Sequence, residues 1–358
     1  MMFISPILKR LVYPVLSETG YLRSFAKEGQ LAVITYHGVK PPQYVSRDSM
    51  LDGSLVSIDQ FRTQLRFLKQ RYAIVSPELV REWLEDGRKL PKRAVLLTCD
   101  DGLQNAVTLM LPVVIGEGLS CLFFVTGASL KTSPKMLWYE QLYLLMRKAQ
   151  PSEIEADFLD SPPKTFPNRR ELWWKLVKKL STVEYSERLI FIQRLQDKLG
   201  SDGYLDVKPG SSEGERFLLA TSCGVQELAT HGMTIGAHTL SHPVLALAPD
   251  ECARKEIADT KHSLELLLGK RVWAFAYPFG NAGSISSREL NFAESAGYTA
   301  AFVNVGGGFG AAMPRFALPR VHVTADMSLS ELEAHVSGFY RSMRRPEAMF
   351  ADEGCSHR

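Results

Sequence analysis

The chain has 358 residues, 45% of them hydrophobic and 23% charged, which permits a sizeable core and excludes collagen-like or disordered classes. The 42 Lys and Arg against 39 Asp and Glu leave a net charge of +3, too weak to imply a nucleic-acid partner on charge alone, and no basic tract supports one, so none is expected. The five cysteines are scattered with no C-x-x-C pair, so neither a disulfide framework nor a zinc ribbon is indicated, and no apolar run reaches the ~20 residues of a membrane span.

Residues 1–29 read as an N-terminal amphipathic segment. Phe3, Ile4, Ile7, Leu8, Leu11, Val12, Val15 and Leu16 recur at helical spacing near Lys9, Arg10 and Arg23. Residues 3–16 therefore either rest on an anionic membrane surface or pack as a helix on their own domain. Pro6 and Pro14 weigh against an unbroken helix in both versions. Lys9 and Arg10 interrupt the apolar stretch and no small-residue cleavage site follows, so no export signal is read. Together with the scattered cysteines this points to the cytoplasm, peripheral to the inner membrane, with export left open.

From Leu31 the chain alternates strand, loop and helix, the pattern of a parallel sheet or barrel. Strand runs are expected at Leu31 to Thr35, Tyr72 to Val75, Ala94 to Cys99, Cys121 to Val125, Met233 to Ala237, Val272 to Ala276, Tyr298 to Val303 and Leu318 to Val323. Helices are expected from Ser57, over Pro77 to Glu85, and over Pro249 to Leu268 with Gly269 as the stop. Residues 131–220 break the rhythm with helical patterns at Met136 to Arg147, Arg169 to Leu180 and Tyr185 to Leu199 and a Pro-rich loop at Ser161 to Pro167. This segment reads as a helical insertion that either shapes access to a site or merely decorates the barrel. The reading is a discontinuous barrel over 30–130 and 221–325, then a C-terminal helix and tail over 326–358.

Three strand ends carry chemistry. Asp100-Asp101-Gly102 places two carboxylates where a buried-strand run stops, suited to metal binding and base chemistry, although Asp-Gly alone marks a common turn. His238-Thr239-Leu240-Ser241-His242-Pro243 follows another strand run. Two imidazoles four residues apart plus one carboxylate make a metal set with positions left for water, as in hydrolytic sites. Tyr277-Pro278-Phe279-Gly280 could stabilise an oxyanion through its backbone N–H groups. His37 follows the first strand run and is a candidate for substrate contact.

In chain order these three segments resemble the first motifs of the polysaccharide deacetylase family, carbohydrate esterase family 4, with its NodB-like homology domain. The second matches the family's H-[ST]-x-x-H-P at every fixed position, and the likeness spans about Leu31 to Leu130 and Thr221 to Val323. The resemblance implies a distorted (β/α) barrel of about seven strands. It also implies metal-dependent removal of N-acetyl groups from amino sugars of a polysaccharide or glycan precursor. Asp100 then falls on the general base, Asp101, His238 and His242 on the ligands of a divalent ion, usually zinc, and the Phe279 N–H on the oxyanion donor. His37 and Tyr277 are candidates for binding the carbohydrate. Departures from the family pattern are Cys99, a small apolar filler, and Ala276, where many relatives carry an arginine that orients the base. Arg320 is a candidate to supply that charge from another strand end, and His322 to protonate the leaving amine. Alternatives that keep the fold are O-deacetylation or deformylation of a lipid-linked sugar, and a glycan-binding barrel with little turnover.

Overall fold

A computed structural model describes residues 6–46, 48–130, 135–147, 169–198, 207–281, 283–305, 308–309 and 314–343. Helix α1 spans Pro6–Glu18 with Pro14 inside it, so the expected interruption does not occur. Packing explains the tolerance: Tyr13 is buried in a small cluster with Leu22, Ala334 and Phe339, and Ser17 donates to Glu333. The face turned to the domain is thus Tyr13 and Ser17, while Leu11 and Val15 are 67% and 60% exposed. No helix among the described residues is long and apolar enough to cross a membrane.

The apolar runs become strands that are buried on both faces, as parallel sheets require. Strands β1 (Leu31–Tyr36), β2 (Ala94–Cys99), β3 (Leu122–Val125), β4 (Thr234–Ala237), β5 (Ala274–Ala276) and β6 (Ala300–Val303) pair in parallel, each with the next. Then β7 (Leu318–Pro319) pairs with β6, and β8 (Val321–His322) pairs with β1. The expected single strand at Leu318 to Val323 is therefore broken at Arg320, and its halves join the two ends of the sheet into a distorted barrel. Gly308–Phe309 adds an antiparallel pair outside β1.

Alternation along the strands sorts the core into two sets. Leu31, Val33, Leu96, Phe124, Ala276, Phe302 and Leu318 share one cluster, which we take as the barrel interior. Ile34, Leu97, Phe123, Phe275, Tyr277 and Val303 share another with the surrounding helices. Gly236 belongs by parity to the first, and a side chain there would meet the Phe124 ring at 2.5 Å, so only glycine lets β4 approach β3 so closely. Helix α2 (Ile58–Arg71) starts on Ser57, whose hydroxyl accepts from the Gln60 N–H, and buries Phe61, Leu65 and Leu68. Helix α3 (Pro77–Asp86) adds Val80 and Leu84 to the interior cluster.

The insertion supplies α4 (Trp138–Met146), α5 (Arg169–Ser181) and α6 (Tyr185–Lys198). They bury Leu142, Leu176 and Leu195 together with Val244 from the loop after β4. The Pro-rich loop at Ser161 to Pro167 lies outside the described residues. Helix α7 (Asp250–Leu268) closes on a left-handed Gly269 as expected, and α8 (Leu329–Val336) packs against α1.

Candidate functional site

Carrying the interior parity one step past each strand end gives His37 after β1, Asp100 after β2, His238 after β4 and Asn304 after β6. His322 lies on β8 in phase with Leu318. All five side chains line one cavity of about 690 Å³, together with Asp101, His242 and Phe279. The loops that bring in the last three residues bend sharply. Asp101, Thr239, His242 and Phe279 all have left-handed backbone, with φ of 74°, 63°, 57° and 61°. Such conformations cost about 1–3 kcal/mol each for non-glycine residues and persist where surrounding contacts enforce them.

Oδ1 of Asp101 lies 3.5 Å from Nε2 of His238 and 3.3 Å from Nε2 of His242. One ligand atom from each of the three falls within 4.8 Å of the others, and all three residues are buried. Nδ1 of His238 donates to the Ala276 carbonyl at 2.7 Å, which leaves the Nε2 lone pair facing Asp101. Burial alone would raise the Asp101 pKa, but the close approach of His238 and His242 prevails and holds it well below the usual carboxylate range. Burial pushes the His242 imidazole down despite the pull of Asp101. A carboxylate and neutral imidazoles are the ligand forms of these groups, and Asp101 Oδ1 has no hydrogen-bond partner among the described residues. The donor set therefore fits a first-row divalent ion.

Asp100 is fully buried and accepts two bonds from Arg320, Nη1 to Oδ1 and Nη2 to Oδ2, both 2.6 Å. Burial works to raise its pKa, and the charge and hydrogen bonds of Arg320 outweigh it, so the carboxylate is the favoured form. Arg320 also lies over the Phe124 ring, at 5.3 Å from its centroid. Ala276 belongs to the same interior set, so the guanidinium expected beside the base comes here from the break between β7 and β8. His322 bonds Ser54 Oγ at 3.1 Å and stacks on His37 with centroids 4.5 Å apart. Burial and the neighbouring His37 push its pKa down to about 3. The Phe279 N–H has no hydrogen-bond acceptor among the described residues, and its ring packs 4.9 Å from that of His242.

Tyr277 departs from expectation. It is fully buried outside the cavity lining, and its hydroxyl donates to the Phe316 carbonyl at 3.0 Å. Strand parity is the reason, since Tyr277 continues the outward row of Phe275. Cys99 fills the outer core beside Met110, and burial raises its thiol well above the ordinary value.

The insertion reaches this site in two ways. Tyr139, Glu140, Trp173 and Trp174 line the cavity, and the Tyr139 ring stacks on His242 at 4.9 Å. Three further side chains hold the loop that carries His242. Trp138 Nε1 donates to the His242 carbonyl at 3.2 Å, Arg188 Nη1 donates to Ser241 Oγ at 2.7 Å, and Ser181 Oγ accepts from the Val244 N–H at 3.0 Å. Glu256 of α7 accepts from the Ser241 N–H at 2.8 Å on the other side. Sequence reasoning missed these residues, as well as Arg216, because no spacing or composition signal sets them apart from ordinary helix residues.

The profile of the polysaccharide deacetylase family matches residues 216–301, which include the His238 to His242 segment and the Phe279 loop. The likeness is to the polysaccharide deacetylases. Among curated proteins, Bacillus subtilis YxkH, named as a polysaccharide deacetylase, is 26% identical over 144 residues, 38% of this chain and 50% of YxkH. The chain thus spans about half the length of that relative. The Streptococcus pyogenes deacetylase PplD, solved in complex with acetate, superposes with a TM-score of 0.54 at 17% identity, covering 87% of this chain and 99% of that one. IcaB from Ammonifex degensii gives 0.54 at 18%, covering 87% and 98%. The de-N-acetylase from Aggregatibacter actinomycetemcomitans gives 0.53 at 12%, covering 85% and 98%. At these identities the superpositions establish a shared (β/α) barrel fold.

Proposed function

We propose that this chain is a metal-dependent hydrolase that removes N-acetyl groups from amino sugars of a polysaccharide or glycan precursor. The observation that carries the reading is the meeting of Asp101, His238 and His242 beside an Asp100 gripped by Arg320 in one cavity. A divalent ion on that set, zinc by the chemistry of its donors, would polarise a carbonyl and lower the pKa of bound water toward about 7. Asp100 accepts the proton of the attacking water, and Arg320 fixes both carboxylate oxygens so that the base is held ionised and oriented. The unpaired Phe279 N–H is the donor for charge that develops on the acyl oxygen. His322, neutral at pH 7, serves as a hydrogen-bond partner, and the proton that reaches the leaving nitrogen is the one Asp100 took from water. The deacetylase name of PplD supports an acetyl group as the one removed, and the de-N-acetylase name of the Aggregatibacter protein supports nitrogen as the atom that loses it.

Purified protein is expected to hold a stoichiometric divalent ion and to release acetate from N-acetylglucosamine oligomers in preference to formate or ester-linked acetate from matched substrates. Asp100→Asn should keep the ion and lose about 10²–10⁴-fold in kcat, whereas His238→Ala should lose the ion. Undiminished turnover by Asp100→Asn, or bound metal without acetate release from any acylated glycan, would sink the reading.

A further inference from the structure

The wall that the insertion adds to the cavity carries a polar pair that the proposed reaction leaves unused. Arg216, in the helix Ser212–Phe217, is 1% exposed. Its Nε donates to Asp52 Oδ1 at 2.8 Å, and its Nη2 donates to the Leu51 carbonyl at 2.9 Å and to Glu140 Oε1 at 2.8 Å. Asp52 is further engaged by Ser46 Oγ at 2.8 Å and by the Tyr44 hydroxyl at 3.1 Å. Two atoms of the network remain without partners among the described residues, Arg216 Nη1 and Glu140 Oε2, and both side chains line the cavity that holds Asp101 and His242. An unpaired buried donor and an unpaired buried acceptor are each costly, and here one ion pair joins them on a cavity wall.

Their chemistry selects what completes them. Arg216 Nη1 only donates and a carboxylate oxygen only accepts, and a hydroxyl group satisfies both at once. An ester, ether or glycosidic oxygen accepts without donating and leaves Glu140 unpaired. An anion is disfavoured, since Asp52 and Glu140 set two carboxylates around one guanidinium. The rings of Tyr139, Trp173 and Trp174 line the same cavity and add apolar surface suited to the C–H side of a pyranose. We infer that Glu140 and Arg216 form a hydroxyl-binding subsite that selects neutral N-acylated amino sugars with a free ring hydroxyl and rejects sugars substituted at that position. The inference rests on the deacylase reading above and narrows its substrate class.

Acetate release from the N-acetylglucosamine tetramer and its monodeoxy analogues, by the wild type and by Glu140→Gln, tests it. The variant is nearly isosteric and keeps an amide oxygen for Arg216, and circular dichroism and zinc content check its fold and ion. The expected result is a KM about tenfold higher on the parent tetramer with kcat changed by less than about threefold. One monodeoxy analogue should show the same loss with the wild type, and variant and analogue combined should lose no more than either alone. Arg216→Lys should lose affinity for the parent tetramer but not for that analogue. Equal KM for wild type and Glu140→Gln, or losses that multiply on every analogue, would overturn the subsite. A wild type that releases no acetate from the tetramer defeats the deacylase reading itself, a separate outcome because no KM is then measurable.

Discussion

At Asp100 each carboxylate oxygen accepts from a different nitrogen of Arg320, and neither side chain is exposed. Removing one partner of such a pair leaves a buried charge uncompensated, at a cost of about 3–5 kcal/mol. Arg320→Met is therefore expected to lower unfolding free energy by about that amount in a urea titration and to reduce acetate release well beyond tenfold. Near-wild-type values for both would show that the pair does neither job. His322 gives a prediction in pH. An unfolded histidine titrates near ~6.5, whereas burial first, and then His37, hold the folded one at about 3, against the opposing pull of Asp100 and Asp101. The unfolded chain thus binds the extra proton first, so this contribution to stability is complete above pH ~6.5 and is lost as pH falls toward 3, at up to about 1.4 kcal/mol per pH unit. Urea midpoints of wild type and His322→Gln between pH 7 and 4 should diverge with that slope. Parallel curves would rule out a buried neutral imidazole. The direction of His322 was readable in the sequence once Leu318 is known to face inward, because a period of two puts residues 318, 320 and 322 on one side. The same rule turns Tyr277 away from the cavity, and a motif resemblance alone misplaces it.

At the scale of elements, the insertion acts on the loop that carries His242 from outside the barrel. Trp138, Ser181 and Arg188 come from all three helices and hold residues 241–244, where His242 has a left-handed backbone. Trp138→Phe removes one N–H and little volume, so it isolates the bond to the His242 carbonyl. We expect zinc affinity to fall about five- to tenfold by chelator competition, corresponding to the ~1 kcal/mol of a typical hydrogen bond, with apo-protein stability lowered by no more than that amount. Unchanged affinity would leave the insertion a cavity wall and nothing more. Helical spacing located α4, α5 and α6 within a few residues, because each must bury an apolar face. Their contact with the His242 loop was not legible, since contacts between segments distant in sequence depend on how helices dock and leave no periodic trace. The N-terminal helix shows the same limit: its spacing was read correctly, but docking against α8 buries Tyr13 and Ser17 and leaves Leu11 and Val15 outside.

For the whole molecule, barrel closure and a bound ion would depend on one another. Asp101 follows β2 while His238 and His242 follow β4, with β3 between them, so an ion on the three would tie together strand ends that are not direct neighbours. The aspartate and histidine motifs were legible because each ends a buried apolar run, but their meeting depends on the barrel. That closure rests on a strand broken at Arg320, a feature no hydropathy pattern marks. An ion that binds only the folded state stabilises it by RT ln(1 + [L]/Kd), about 2.7 kcal/mol at a hundredfold excess over Kd. Chelation of the purified protein should therefore lower Tm by a few degrees, and zinc should restore it. His238→Ala should show no zinc-dependent shift while retaining the apo-protein's cooperative transition. A wild-type Tm indifferent to zinc and chelator alike would mean that the three side chains, although adjacent, do not hold an ion that the fold senses, and the hydrolytic site would lose its electrophile.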